Sequence, residues 1–199
     1  MARERARREG APSERGSEKR SGRRPAERVP VTEAALSAAA LRYLDRYDAP
    51  REKLVRHLER WIRTRGEPAD PARARPLIEA LVARYTASGI LDEDRLADTS
   101  LERLRSRGSS RLAVRAKLAA RGVEAGAIDR ALEREKAEEP EAELEAARAF
   151  SRRRRLGPHR PESERAENRR RDLAALARAG FSFDIARRVL GEGEGDDEF

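Results

Sequence analysis

The side chains best suited to acid–base or metal chemistry are few and far apart in this sequence. It contains two histidines, His57 and His159, and no cysteine. His57 precedes Leu58 in an amphipathic pattern that places it on the surface or rim of a helix, and His159 follows a Gly-Pro turn. Neither histidine has partners at the spacing of a metal site or a nucleophilic triad. We therefore predict no metal site and no cofactor.

The acidic run Asp92-Glu93-Asp94 is the only other candidate for chemistry. Paired carboxylates in acid–base catalysis need a pocket, which one short amphipathic helix does not imply. Carboxylates at a helix N-terminus complement the exposed N–H groups and the helix dipole. The sequence contains no phosphate-binding glycine loop, HExxH motif or Gly-x-Ser-x-Gly motif. We predict that the run caps a helix and that the chain is not an enzyme.

Composition predicts an all-α protein with a thin core. Hydrophobic residues make up 38% of the 199 residues, aromatic residues 4% and charged residues 41%. A core of this kind must consist mainly of alanine and leucine, which suits small helical units packed side by side. The apolar residues do not alternate with polar ones as they do in half-buried strands.

The formal net charge of +8 favours a nucleic acid or an acidic protein surface as partner. Arginine carries almost all of this excess, and together with abundant alanine it also fits the coding bias of a GC-rich genome. No apolar run reaches the length of a membrane span, and the arginine-rich start lacks the apolar region of a signal peptide. We predict a cytoplasmic protein that does not contact a membrane.

Helical periodicity and helix-stop glycines predict about nine helices in tandem three-helix repeats, which form an elongated, curved array. The expected units cover residues 32–89, 90–138 and 139–190. Residues 1–31 contain hardly any aliphatic side chain, so we expect a disordered basic arm. Residues 191–199 are expected to form a disordered acidic tail.

The repeat rests on three helix ends at which an aliphatic residue precedes a glycine by the same spacing: Ile62 and Gly66, Leu118 and Gly122, Leu176 and Gly180. In the second and third copies an apolar residue follows the glycine at once, as in a Schellman stop. The first copy is looser, because an insertion separates Gly66 from the next apolar residue.

Two local choices remain open in the helix between Gly108 and Gly122. Either Ser109 or Ser110 can cap it. Its inward face consists either of Val114 and Leu118 or of a second set of side chains, namely Leu112, Ala116 and Ala119.

The remaining apolar stripes predict core positions rather than binding sites. Trp61 shares a helical face with Leu54, Leu58 and Ile62, which favours a core anchor over a base-stacking platform. Thr32 and Ser182 are expected to cap the first and last helices. The penultimate helix is expected to bury four residues: Ala166, Leu173, Leu176 and Ala177.

Four segments carry a family resemblance. They are Ala40-Leu41-Arg42-Tyr43-Leu44, Glu52-Lys53-Leu54, the run 89–97, and the run 108–118 with Arg121-Gly122-Val123. These segments resemble the bacterial RecX regulatory family over roughly residues 33–190. The structural signature comprises Gly89, Leu91, Asp92, Asp94, Ala97, Gly108, Leu118, Gly122, Gly180 and Phe181.

The resemblance implies a non-enzymatic modulator of the RecA recombinase in DNA repair and SOS control. Members of the family consist of tandem three-helix units and bind in the groove of the RecA filament. They inhibit strand exchange, ATP hydrolysis and coprotease activity. The resemblance brings no catalytic residues with it. The alternative is a helical-repeat protein that binds nucleic acid directly, without a recombinase partner; a monomer is expected in both cases.

Basic residues on the third unit are the first candidates for contacts with RecA or with single- or double-stranded DNA. A solvated basic face is the competing interpretation. The first candidates are Arg152, Arg153, Arg154, Arg155, Arg169, Arg170 and Arg171. The second choices, on the central unit, are Arg95, Arg111 and Lys117.

Overall fold

The computed structural model describes residues 28–66 and 71–191. Within these residues the chain forms nine α-helices and no β-sheet, which confirms the all-α prediction. The helices are α1 (Glu33–Leu44), α2 (Arg51–Arg65), α3 (Pro71–Ala87), α4 (Glu93–Arg105), α5 (Arg111–Ala120), α6 (Ala125–Glu138), α7 (Ala142–Arg154), α8 (Glu162–Arg178) and α9 (Phe183–Leu190). A 3-10 helix at Gly157–His159 joins α7 to α8. Most of the expected arm and tail, residues 1–27 and 192–199, lies outside the described residues.

Among the described residues, four side chains that precede a helix accept a hydrogen bond from the N–H group three residues later. Thr32, Asp92 and Ser182 cap α1, α4 and α9 at distances of 3.2, 2.9 and 3.3 Å, as the sequence predicts. Ser110, and not Ser109, caps α5 at 3.2 Å. Local polar chemistry therefore sets where these helices start.

Two of the repeated glycines end their helices in the expected Schellman geometry. Gly122 and Gly180 have φ angles of 84° and 90°. The next residue in each case donates its N–H to a carbonyl in the last helical turn (Val123 to Leu118 at 3.1 Å, Phe181 to Leu176 at 3.2 Å). This geometry satisfies carbonyl groups that the helix end leaves unpaired.

Gly66 differs from these two glycines, because its backbone is extended, with φ −69°. It forms an isolated parallel bridge with Val29, whose N–H donates to the carbonyl of Arg65 at 2.8 Å. Val31 packs against the core beneath. Residues 28–31, at the end of the expected arm, therefore lie against the end of α2.

Three separate hydrophobic cores lie along the part of the chain that the structure describes, and each comes almost entirely from three consecutive helices. We call α1–α3 the first unit, α4–α6 the second and α7–α9 the third. Aromatic rings are rare inside: Tyr85 is buried in the first core and Phe181 in the third, and alanine and leucine fill most of the rest. Trp61 packs half-buried against the first core, as a core anchor does.

Packing decides the open choice on α5 in favour of Val114 and Leu118, which are fully buried, whereas Leu112 is 64% exposed. The expected stripe on α8 is only partly correct. Leu176 is buried, but Ala166 and Ala177 are exposed, because α8 is covered mainly by α9 and the turn before it.

The described part of the chain contains neither a membrane-spanning helix nor a cluster of metal-binding side chains. None of its helices has the length and apolar character needed to cross a membrane. No group of three or more His, Asp or Glu side chains there is placed to hold a metal ion.

Candidate partner interface

Arg105 joins the second unit to the third. Its guanidinium donates to both carboxylate oxygens of Glu135 on α6, at 2.6 and 2.5 Å, and to Glu143 on α7. Its side chain is only 11% exposed. Burial acts to lower the pKa of Arg105, but the hydrogen bonds to Glu135 and Glu143 outweigh it, so the pKa is raised and the charge is kept. Three helices from two units therefore meet at one cation.

Close backbone packing reinforces this junction. Gly108 lies against the backbone of Phe150 on α7, where a Cβ would come within 2.5 Å of the Phe150 nitrogen. The hydroxyl of Ser110 donates to the carbonyl of Ala179 at the end of α8, at 2.6 Å. These contacts hold the start of α5 against both α7 and α8.

A cleft of about 640 Å³ opens beside this junction, between the second and third units. The second unit contributes Gly108, Ser109, Ala113 and Lys117 to its lining. The third unit contributes most of the charge. Among the described residues, the basic side chains of the lining are Lys117, Arg153, Arg154, Arg160, Arg171 and Arg178, and Asp172 is the one acidic residue.

The carboxylate of Asp172 is hydrogen-bonded to Arg160 and Gly157, inside the third unit. Its side chain is 1% exposed, and it accepts two hydrogen bonds from Arg160, at 2.8 and 2.9 Å, and one from the Gly157 N–H at 2.8 Å. Burial acts to raise the pKa of this carboxyl, but the hydrogen bonds and the charges of Arg160 and Arg171 outweigh it, so the pKa is lowered. Asp172 thus stays ionised and compensates Arg160.

The other five cations of the cleft form no ion pair within the described residues. Lys117 donates to the Ser109 hydroxyl at 2.8 Å, and the guanidinium of Arg154 lies 5.6 Å from the centre of the Phe150 ring. Five cations around one concave surface create a positive potential that attracts phosphate or carboxylate groups.

Three known proteins are similar to this chain over most of its length. It is 38% identical over 180 residues to the regulatory protein RecX of Myxococcus xanthus, an alignment that covers 88% of this chain and 94% of that protein. It is 34% identical over 164 residues to the regulatory protein RecX of Halorhodospira halophila, covering 82% and 91%. The chain belongs to the RecX family. A third RecX protein, from Agrobacterium fabrum, is 29% identical over 140 residues, covering 70% and 73%. No family model and no solved structure matches the sequence.

The acidic run of the RecX signature has a structural role. Asp92 caps α4, and Asp94 accepts two hydrogen bonds from Arg130 of α6, at 2.9 and 3.1 Å. Glu93 accepts from the N–H of Arg51, at the start of α2, and at 3.0 Å from the N–H of Glu124, just before α6. Its carboxylate therefore holds the starts of two helices from two different units.

The remaining signature residues of the RecX resemblance lie in the cores or at helix ends. Gly89, Gly108, Gly122 and Gly180 all have positive φ angles. The apolar members are buried: Leu91, Ala97, Leu118 and Phe181.

The structure separates the basic residues that the sequence singles out. Lys117, Arg153, Arg154 and Arg171 line the cleft together. Arg155 ends α7 in the left-handed conformation, with φ 54°, so the arginine run turns away from the helix axis there. The side chains of Arg152, Arg155, Arg170 and Arg95 are exposed outside the lining.

Two more of the candidates make contacts within the chain. Arg111 pairs with Glu133 and donates to the Leu132 carbonyl at 3.3 Å. Arg169 donates to the Gly191 carbonyl at 2.9 Å.

Sequence reasoning missed Arg160 and Arg178 in the cleft, and Arg105 at the junction. Each is one arginine among many, and nothing in its immediate neighbours marks it. The partners of Arg105 lie 30 and 38 residues away in the sequence. Packing of α4 against α6 brings Glu135 to Arg105. Only the packing of the second unit against the third brings Glu143 there.

Proposed function

We propose that this RecX family member binds the RecA recombinase filament and inhibits its strand-exchange, ATPase and coprotease activities without catalysing a reaction. The observation that carries the proposal is the 38% identity to a regulatory protein RecX over 88% of the chain. We further propose that the protein acts as a monomer in the cytoplasm.

The junction and the cleft support a binding role. Arg105 and Gly108 hold the second and third units in one orientation, so the cleft does not have to form when a partner arrives. Its unpaired cations suit a filament in which acidic protein surface and DNA phosphates lie close together. We assign the filament contacts to Lys117, Arg153, Arg154, Arg171 and Arg178.

The test is a titration of the cognate recombinase on single-stranded DNA, with ATP hydrolysis as the readout. We expect inhibition at protein ratios from substoichiometric to nearly equal. The double variant Arg153→Glu/Arg171→Glu places like charges against the filament, which weakens such contacts by at least about tenfold. No inhibition by the unaltered protein across this range would overturn the proposal.

Arg170→Glu is the matched control, because Arg170 neighbours Arg171 but lies outside the cleft lining. It should inhibit nearly as well as the unaltered protein. The single variant Arg171→Glu reverses one charge inside the lining and is compared with Arg170→Glu. Equal losses for these two single variants would show that the total charge of the unit matters and that the cleft does not.

Direct binding of nucleic acid without a recombinase partner is the second candidate, and the net charge of +8 favours it. Under this alternative, affinity for DNA alone falls steeply with salt concentration. The recombinase ATPase then stays unchanged at every ratio, which separates the two candidates.

A further inference from the structure

The first unit carries a second basic surface, far along the chain from the cleft, in which aromatic rings lie among the cations. It consists of two adjoining depressions of about 610 and 750 Å³ between α1 and α2. They share four residues, namely Arg42, Arg46, His57 and Arg60. We call this the α1–α2 surface; its other aromatic and basic members are Tyr43, Tyr47, Lys53, Arg56, Trp61 and Arg65.

The rings of this surface form a continuous series. Tyr43 stacks on His57, with ring centres 4.1 Å apart and planes 15° from parallel. Tyr47 follows at 5.1 Å from Tyr43, tilted by 46°. Tyr43 and His57 are half-buried, whereas Tyr47 is 52% exposed. The series therefore begins with two half-buried rings and ends with an exposed ring.

Core packing does not account for the position of Tyr47. The sequence spacing from Leu36 onwards suggests that Tyr47 continues the apolar stripe of α1, but α1 ends at Leu44. Tyr47 lies after the helix end, beside Arg46 and outside the first core. Exposed rings next to arginines are typical of surfaces that stack flat ligands.

The charged side chains that line the two depressions have one sign among the described residues. The lining that these residues form contains no carboxylate. Arg56 pairs with Glu52, but the other five cations form no ion pair within the described residues. Burial, followed by the charge of Arg60, lowers the pKa of His57, so this ring stacks in its neutral form.

We propose that the α1–α2 surface binds single-stranded nucleic acid, with a base stacked on Tyr47 and phosphates held by Arg42, Arg46, Lys53, Arg60 and Arg65. Single strands offer both an accessible base face and a dense row of phosphates. A duplex encloses its base faces, and an acidic peptide has no series of rings. This inference goes beyond the filament proposal, because it needs no recombinase.

The test measures fluorescence anisotropy of a labelled oligothymidylate with the full chain, without recombinase. Tyr47→Ala removes an exposed ring and should weaken binding about 5- to 150-fold, whereas Tyr47→Phe should retain it. A duplex of equal length should bind more weakly. Unchanged affinity for Tyr47→Ala, or a duplex that binds as tightly as the single strand, would overturn the proposal.

The salt dependence tests the cations separately. Arg46→Gln/Arg60→Gln should reduce the slope of log affinity against log salt by about 1.4, since each phosphate contact on a single strand contributes about 0.7. Arg63→Gln is the control, because Arg63 is exposed on α2 but lies outside both depressions. Equal slope changes for the double variant and the control would count against the site.

Two further arms identify the ligand. Tighter binding of oligodeoxyuridylate than of oligouridylate, which differ only in the sugar, assigns the surface to DNA, and the reverse order assigns it to RNA; both results support the proposal. The proposal would be overturned if a glutamate-rich peptide displaced the labelled oligothymidylate as effectively as an unlabelled oligonucleotide does. If the Tyr47→Ala variant still inhibits the recombinase, the filament proposal is unaffected. The failure of one proposal can therefore be distinguished from the failure of the other.

Discussion

Arg105 on α4 and Glu143 on α7 form an ion pair across the boundary between the second and third units, although 38 residues separate them in the sequence. The same guanidinium holds Glu135, so one side chain connects α4, α6 and α7. The pair lies next to the basic cleft, because the same guanidinium donates to the carbonyl of Ser109, which lines it. The relative position of the cations from the two units therefore depends on this contact.

Replacing Arg105 by alanine should lower the free energy of unfolding by roughly 3 kcal/mol, because it leaves two carboxylates in a largely buried place without their cation. Urea denaturation measures the loss. Arg103→Ala is the matched control on the same helix, since Arg103 is exposed, and should change stability by no more than about 0.5 kcal/mol. Similar values for the two variants would contradict a structural role for the Arg105 pair.

Gly108→Ala should destabilise the junction more than Gly89→Ala, although the two glycines have nearly equal φ angles, 73° and 72°. Gly89→Ala carries the backbone strain alone, about 1 kcal/mol, since a Cβ there meets nothing within 4 Å. At Gly108 the Cβ would also clash with the Phe150 backbone, which adds roughly 1–3 kcal/mol. Thermal or urea unfolding of both variants measures the difference. Equal losses would mean that α7 can move away freely.

The Asp172–Arg160 pair should make the stability of the third unit depend on pH in the acidic range. The pKa of Asp172 is lower in the folded chain than in the unfolded chain. The pair therefore stabilises the fold above the unfolded pKa, and this stability is lost as the pH falls through the folded pKa. Unfolding free energies measured between about pH 2 and 6 for the unaltered protein and Asp172→Asn should differ at the upper end and converge at the lower.

Asp94→Asn is the control for this acid dependence. The pKa of Asp94 is also lowered, first by its hydrogen bond from Arg130. Its side chain is 43% exposed, however, so solvent screens the pair and its loss should cost no more than about 1 kcal/mol. A larger acid-dependent change for Asp94→Asn than for Asp172→Asn would contradict this ranking.

Some residues of the basic cleft could be predicted from the sequence. Lys117, Arg153, Arg154 and Arg171 were candidates because of their charge and their position in arginine-rich helices, and the fold brings them to one surface. Arg160 and Arg178 were not, because their place in the cleft depends on how α8 and the turn before it pack within the third unit and on how that unit meets the second. The aromatic series on the first unit was missed for the same reason: Tyr43 and His57 stack only once α1 and α2 are packed together.

The sequence by itself determined the helices and the points at which several of them begin and end. The caps at Thr32 and Asp92 and the stop at Gly122 involve atoms within a few residues of each other, so local chemistry is sufficient. Tertiary structure decided which face of α5 is buried, because Val114 and Leu112 both have helical spacing to apolar neighbours. It also decided which arginines are paired, since a guanidinium selects carboxylates by distance in space and not by position along the chain.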